Sequence, residues 1–414
     1  MRFFFYLLIF LIFACKGSEP KQLESNQHDS LVSFNGKIST VSTGVYSYSI
    51  YLPANYSKDK KYPLLLLFDA QARGKMPLNL YDTLVEKNEW VVACSNNAKN
   101  QLQPSEYEQI YKATMDDLLG KYSIDTSMLM LGGFSGGARV AYQFAQTDSR
   151  IKGVVMNSAG FDPLNKPRPG LALVGLAGIE DFNLSEMFKG FREVFKDENV
   201  ESPTLYLAFE GKHEWAPEAQ MKLALDYLKQ ACTPESKKEA AADARSEFER
   251  VKERLTRVIA FEEFSRKKYS AEFGSKDVSY FKTEVTKLNQ MNAQDLKNGR
   301  IEMAYSYRRL QQILSMLAYS YSNSALNNGQ TELAEKFTNI YRIVDSSNAE
   351  WAYMKAMLAA RKNDPPTATS MLKKAAELGF DNKNKRAQKQ PEFSPFMTDQ
   401  AFADAVLALK AKEE

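Results

Sequence analysis

The chain is poor in the residues that carry most enzyme chemistry. Its 414 residues include two histidines, His28 and His213, and three cysteines, Cys15, Cys94 and Cys232. No cluster of His, Cys, Asp and Glu has metal-ligand spacing, so neither a metal nor a cofactor is expected. Cys94, in the strand-like run 90–94, and Cys232, at the end of a helical segment, read as buried free thiols. A bridge between them is the alternative open to an exported chain. Formal net charge is only +3, from 54 basic and 51 acidic residues. With no long block of like charge, nothing argues for a nucleic-acid partner or a basic membrane-binding face. Long apolar runs are equally scarce. The one that stands out, residues 3–13, follows Arg2 and ends at Ala14, before Cys15. It is too short to span a bilayer and has the composition of an export signal.

What the chain does have is centred on residues 128–144, MLMLGGFSGGARVAYQF. The run 128–131 suits a buried strand, and Val140, Ala141 and Phe144 recur at helical spacing. Between them lies Gly133-Phe134-Ser135-Gly136-Gly137, a G-x-S-x-G. A strand that reverses sharply into a helix strains its middle residue and lifts that side chain above the sheet. Ser135 is therefore the candidate nucleophile, and the N–H of Gly136 faces a developing oxyanion. Phe134 is a candidate substrate contact. The competing reading is a glycine-rich turn with an incidental serine.

Residues 31–232 alternate between short apolar or alternating runs (45–52, 63–68, 90–94, 128–131, 154–156, 171–176, 204–209) and helical spacing (78–85, 105–119, 184–194, 217–228). This predicts the α/β class, a mostly parallel sheet with helices on both faces. Ligands of such sheets collect at the carboxyl ends of the strands, where the loops 178–183 (GIEDFN) and 210–217 (EGKHEWAP) follow predicted strands. A serine hydroxyl needs an imidazole to take its proton. The imidazole needs a carboxylate to fix its tautomer. His213 is the one histidine of this region. Asp181 is the preferred acid, Glu180 its competitor and Asp162 a third candidate.

These segments carry a resemblance. Tyr51-Leu52-Pro53 with Tyr62-Pro63-Leu64, the elbow GGFSGGARVA, the GIEDFN loop and His213-Glu214-Trp215 resemble esterases of the α/β-hydrolase superfamily. The similar branch is that of feruloyl esterases and polyhydroxybutyrate depolymerases. The chain order Ser135, Asp181, His213 is the order of that fold. The resemblance implies a Ser-His-Asp triad and a small-molecule or polysaccharide-linked ester as substrate. Many such enzymes have His-Gly after the strand at 63–68. This chain has Phe68-Asp69-Ala70-Gln71, which makes the N–H of Ala70 or Gln71 the second oxyanion donor. Asn96 and Asn97, at the end of another strand, are expected to line the cleft. Trp215 is read as a substrate platform, with packing of the final helix as the alternative.

The N-terminal signal (1–14) ending at Cys15 resembles the lipobox of bacterial lipoproteins. That resemblance implies a lipid-modified Cys15, membrane anchoring through it in the cell envelope, and a flexible tether at 15–30. Beyond residue 232 strand-like runs cease. Residues 233–330 read as long helices, opening with a charged, alanine-rich stretch that looks solvated. Residues 331–414 read as a helical repeat and its cap, and 349–380 resembles a tetratricopeptide unit, with Ala352, Ala356, Ala368, Leu372 and Ala375 at small-residue positions. Such a repeat implies a surface for a protein partner, or a brace. Few apolar contacts are expected at the 232/233 boundary, so a fragment 31–232 is expected to fold alone. Two further readings stay open: an anchored binding protein with an inactive hydrolase unit, and a serine peptidase using the same triad.

Overall fold

The computed structural model describes residues 35–197, 202–233, 236–382 and 385–410. The segments expected to be an export signal and a tether, with Cys15, lie outside the described residues.

Among the described residues eight strands form one sheet: β1 (Ile38–Thr43), β2 (Tyr46–Tyr51), β3 (Tyr62–Asp69), β4 (Val91–Ser95), β5 (Ile124–Phe134), β6 (Ile151–Asn157), β7 (Ala172–Gly178) and β8 (Thr204–Phe209). Their order is β1-β2-β4-β3-β5-β6-β7-β8. β1 pairs antiparallel with β2, and β2 with β4; all later pairings are parallel. Five helices cover the sheet: α1 (Lys75–Asn88), α2 (Pro104–Lys121), α3 (Gly136–Thr147), α4 (Leu184–Lys196) and α5 (Glu218–Ala231). The continuous apolar run of β3 explains its central place. Leu64, Leu66 and Phe68 bury on one face with Leu118, Ala141 and Phe191. Leu65 and Leu67 bury on the other with Leu78, Leu84 and Leu228. A strand with both faces covered has no reason to alternate. The α/β class expected from the sequence is the one observed. β1 was not anticipated, because ISTVST lacks the large apolar residues of a recognisable strand.

The next helix, α6 (Lys237–Glu272), departs from expectation. Over 36 residues it does not leave the sheet; it completes it. Ala240 and Ala244 join the core beneath one face of the sheet. Phe248, Val251, Leu255 and Ile259 join the core on the other face. Phe248 stacks on Phe195 with ring centroids 4.1 Å apart. The buried positions 240, 244, 248, 251, 255 and 259 form a stripe three or four residues apart, one face of a helix. Charged residues on the remaining faces hide that stripe from a compositional reading. The boundary at 232/233 therefore divides the chain but not its core.

Among the described residues six more α-helices follow: α7 (Val278–Lys297), α8 (Ile301–Asn327), α9 (Thr331–Val344), α10 (Glu350–Arg361), α11 (Pro365–Glu377) and α12 (Gln400–Leu407). α8 packs with α9, and α10 with α11. Ala352, Ala356, Ala368, Leu372 and Ala375 are all buried in this third core, together with Phe393 and Phe402. The helical C-terminal region expected from the sequence is present.

Two stability outcomes follow from the shared core. In the full-length chain, Phe248→Ala should lower unfolding free energy by about 3–5 kcal/mol, the usual effect of truncating a buried aromatic. A fragment 31–232, stripped of α6, would expose Phe188, Phe195 and Tyr206 and should aggregate. Denaturant unfolding checks the first; a soluble fragment with a cooperative melt would contradict the second.

Candidate active site

The turn between β5 and α3 is built by close approach. A Cβ on Gly133 would lie 2.4 Å from the carbonyl carbon of Gly137, and one on Gly137 would lie 2.1 Å from the carbonyl oxygen of Phe68. Neither position tolerates a side chain, so the start of α3 presses against β5 and β3. Ser135, squeezed between them, has φ 55° and ψ −123°. A positive φ at a residue other than glycine is a strained state that persists only where its surroundings impose it. Here the N–H of Ser135 is also held, donating to the carbonyl of Asn157 at 2.9 Å.

Two loops at the same end of the sheet meet this serine. His213 Nε2 lies 3.0 Å from Ser135 Oγ, and His213 Nδ1 lies 3.0 Å from Asp181 Oδ1. Asp181 is fully buried, and its Oδ1 also accepts from the N–H of Asn183 at 2.8 Å. An ionised carboxylate there makes Nδ1 the protonated nitrogen and leaves Nε2 free to accept the serine proton. The imidazole sits between two rings, Phe182 at 4.2 Å and Phe134 at 4.8 Å. The end of β6 fixes the histidine loop. Asn157 Nδ2 and Ser158 Oγ both donate to the carbonyl of Glu214, and Asn157 Oδ1 accepts from the N–H of Ala216 at 2.6 Å.

Of the competing acids, Glu180 turns away to pair with Arg308 of α8 at 3.1 Å. Asp162 accepts from the N–H of Leu164 within its own loop. Only Asp181 reaches the imidazole.

Several sequence-based assignments change. The N–H of Gln71 donates to Asp69 Oδ1 at 2.8 Å, so it does not point at Ser135 as an oxyanion donor would. Trp215 is 4% exposed, stacks on Phe134, and donates through Nε1 to Asp69 Oδ2 at 3.0 Å. It is packing, not a platform. Phe134 is itself buried beneath the imidazole, shaping the base more than the cleft. Asn97 Oδ1 accepts from the N–H of Ser47 at 2.7 Å, and Asn96 bonds Ser49 and Ser47, so both brace β2. The asparagine that does reach the site is Asn100. A Cβ on Gly136 would lie 1.8 Å from Asn100 Oδ1, so its carboxamide rests against the first residue of α3. The only hint in the sequence is the polar run after β4, where three asparagines compete.

Asp69 is the last residue of β3. It is fully buried. Burial alone would raise its pKa, but hydrogen bonds from Arg73, the N–H of Gln71 and Trp215 outweigh this and hold the carboxyl below the ordinary carboxylate range. Arg73 engages it with two bonds, at 2.9 and 2.8 Å. The ion pair thus anchors the segment that follows β3.

Between the acid and histidine loops and the helical half lies a polar cavity of about 560 Å³, lined by Glu180, Lys212, Arg308, Gln311, Gln312 and Asp345 among others.

Neither a family model nor a curated relative matches this sequence. Solved structures do show likeness. A thermostable esterase is 16% identical with a TM-score of 0.36, over 46% of this chain and 62% of that one. A ferulic acid esterase is 17% identical with a TM-score of 0.37, over 46% and 96% of the two chains. A puromycin-hydrolyzing peptidase from Mycobacterium tuberculosis is 13% identical with a TM-score of 0.37, over 49% and 39%.

Asp181→Asn should reduce turnover by several orders of magnitude, of the order of 10⁴ for a triad acid, while Glu180→Gln should have little effect on a small substrate. The reverse ranking in steady-state kinetics would move the acid to Glu180. Asp69→Asn should destabilise the chain at neutral pH, because Arg73 loses its buried counter-charge. The folded pKa of Asp69 is depressed, so the stability it adds is present above its unfolded value of about 3.9 and fades as pH falls through the lower folded one. Melts of the two proteins should converge in that acidic range and separate at neutral pH.

Proposed function

We propose that the protein is a serine hydrolase acting on carboxylic esters. The supporting observation is the unbroken chain Ser135 Oγ, His213 Nε2, His213 Nδ1, Asp181 Oδ1, with both contacts at 3.0 Å and the serine on a strained turn. Ser135 attacks the ester carbonyl while His213 takes its proton, then returns it to the departing alkoxide. Asp181 stays ionised, orients the ring and stabilises the imidazolium. The N–H groups of Gly136, at the start of α3, and Ala70, beyond β3, receive the oxyanion, with Asn100 beside Gly136. Water repeats the cycle on the acyl-enzyme. The same machinery would open an amide, so the substrate panel must include peptides.

Export and lipid anchoring at Cys15 belong to this proposal, supported by Arg2, the apolar run 3–13 and Ala14 before the cysteine. The helical repeats are proposed as a surface for a protein partner only in the general sense that such arrays offer one.

Ser135→Ala should abolish labelling by a fluorophosphonate probe and lower ester turnover by several orders of magnitude. A panel of short-chain acyl esters, feruloyl esters and peptides on the full-length chain then ranks the substrates. Labelling that survives in Ser135→Ala would remove Ser135 from the mechanism.

A further inference from the structure

The loop that carries Asp181 is held from outside the sheet. Arg309 of α8 is 1% exposed; it donates to the carbonyl of Ile179 and, at 2.7 Å, to Glu262 Oε2 of α6. Arg266 of α6 donates to the carbonyl of Phe182 and, through two nitrogens at 3.0 and 2.6 Å, to Glu262 Oε1. Glu262 is fully buried and accepts a fourth bond from Ser185 at 2.7 Å. The two carbonyls flank Asp181 on either side, at Ile179 and Phe182. Two guanidinium groups from the helical half therefore grip the acid loop at both shoulders, with one carboxylate holding the pair together.

Charge balance points the same way. A buried ionised carboxylate is costly unless a positive charge lies near it. Glu262 is one carboxylate against two guanidinium groups, and those groups reach the carbonyls of Ile179 and Phe182 in the loop that carries Asp181. The Tyr206 phenol, raised first by burial, is raised further by the Asp181 carboxylate and lowered by the Arg309 guanidinium, so all three groups share one region. Asp181 Oδ2, Tyr206 Oη and Arg309 Nη2 are each buried there with no protein hydrogen-bond partner among the described residues.

We infer that Arg309 and Arg266 are positioning residues for the reaction, acting through the backbone on either side of Asp181, so that the helical half sets the geometry of the acid. This rests on the serine-hydrolase reading above. It makes α6 and α8 part of the working enzyme, though neither contributes a group to the reacting atoms.

The test uses the full-length chain, a short-chain acyl ester and a fluorophosphonate probe, with Arg309→Met, Arg309→Lys, Arg266→Met and each combined with Asp181→Asn. The single variants should lose roughly 10- to 100-fold in kcat, the scale of a misplacement near 1 Å, with KM within about twofold. Arg309→Lys should retain more than Arg309→Met, because the charge stays although the second bond is lost. In the Asp181→Asn background the arginine substitutions should add almost nothing, since their effect passes through that carboxylate. Variants that melt cooperatively with wild-type kcat, or losses that multiply with that of Asp181→Asn, would overturn the inference. Should the Arg309 variants fail to fold, Arg266→Met decides, because that side chain is 26% exposed. Ser135→Ala separates the two levels. An active Ser135→Ala removes the underlying reading; an inert one beside unimpaired arginine variants removes only the positioning role.

Discussion

The contact on which the site depends is one between backbones, where Gly133 meets Gly137 and Gly137 meets the carbonyl of Phe68. No side chain fits in either gap. That approach lets α3 begin directly above β5 and forces Ser135 into a conformation few residues other than glycine adopt. The strain is borne by a well-packed sheet with apolar residues on both faces, which can tolerate one costly residue because it has so much else in register. Once the serine is raised, β7 and β8 need only deliver their loops to the same end. Asn157 joins these parts: its carbonyl holds Ser135, and its side chain holds the histidine loop.

The sequence showed the sheet, the elbow and the two loops because each has a strong local signature. Parallel strands covered on both faces leave unbroken apolar runs, G-x-S-x-G declares its own geometry, and a single histidine in the region leaves no choice of base. What stayed hidden depends on side-chain direction. Trp215 follows the histidine and invites a functional reading, yet its indole turns inward to a carboxylate 146 positions away. Asn97 and Asn100 are indistinguishable by type, and only the path of the loop after β4 separates brace from site. Gln71 was lost to a neighbour two residues back, a local turn that no periodicity reveals.

Helix α6 shows a different limit. Hydrophobic patterning works when the apolar stripe is wide; here it is one residue per turn, begun by two alanines and set among Glu, Lys and Arg. Average composition marks such a helix as solvated. Its buried face emerges only when positions are read at their true spacing, and its partners, Phe188, Phe195 and Tyr206, lie earlier in the chain on elements that already looked complete.

That late partner has a consequence for how the molecule is made. A ribosome delivers β8 and its aromatic surroundings before any of α6 exists, and Phe248 to Ile259 must follow before that face of the sheet is closed. The first 232 residues can form strands, but they cannot finish a core. Folding of the sheet unit is therefore tied to arrival of the helical half and is not an independent N-terminal event. Until then an aromatic surface stands open beside an unprotected strand edge, and keeping the chain from its neighbours over that interval falls to whatever chaperone or translocation machinery receives it.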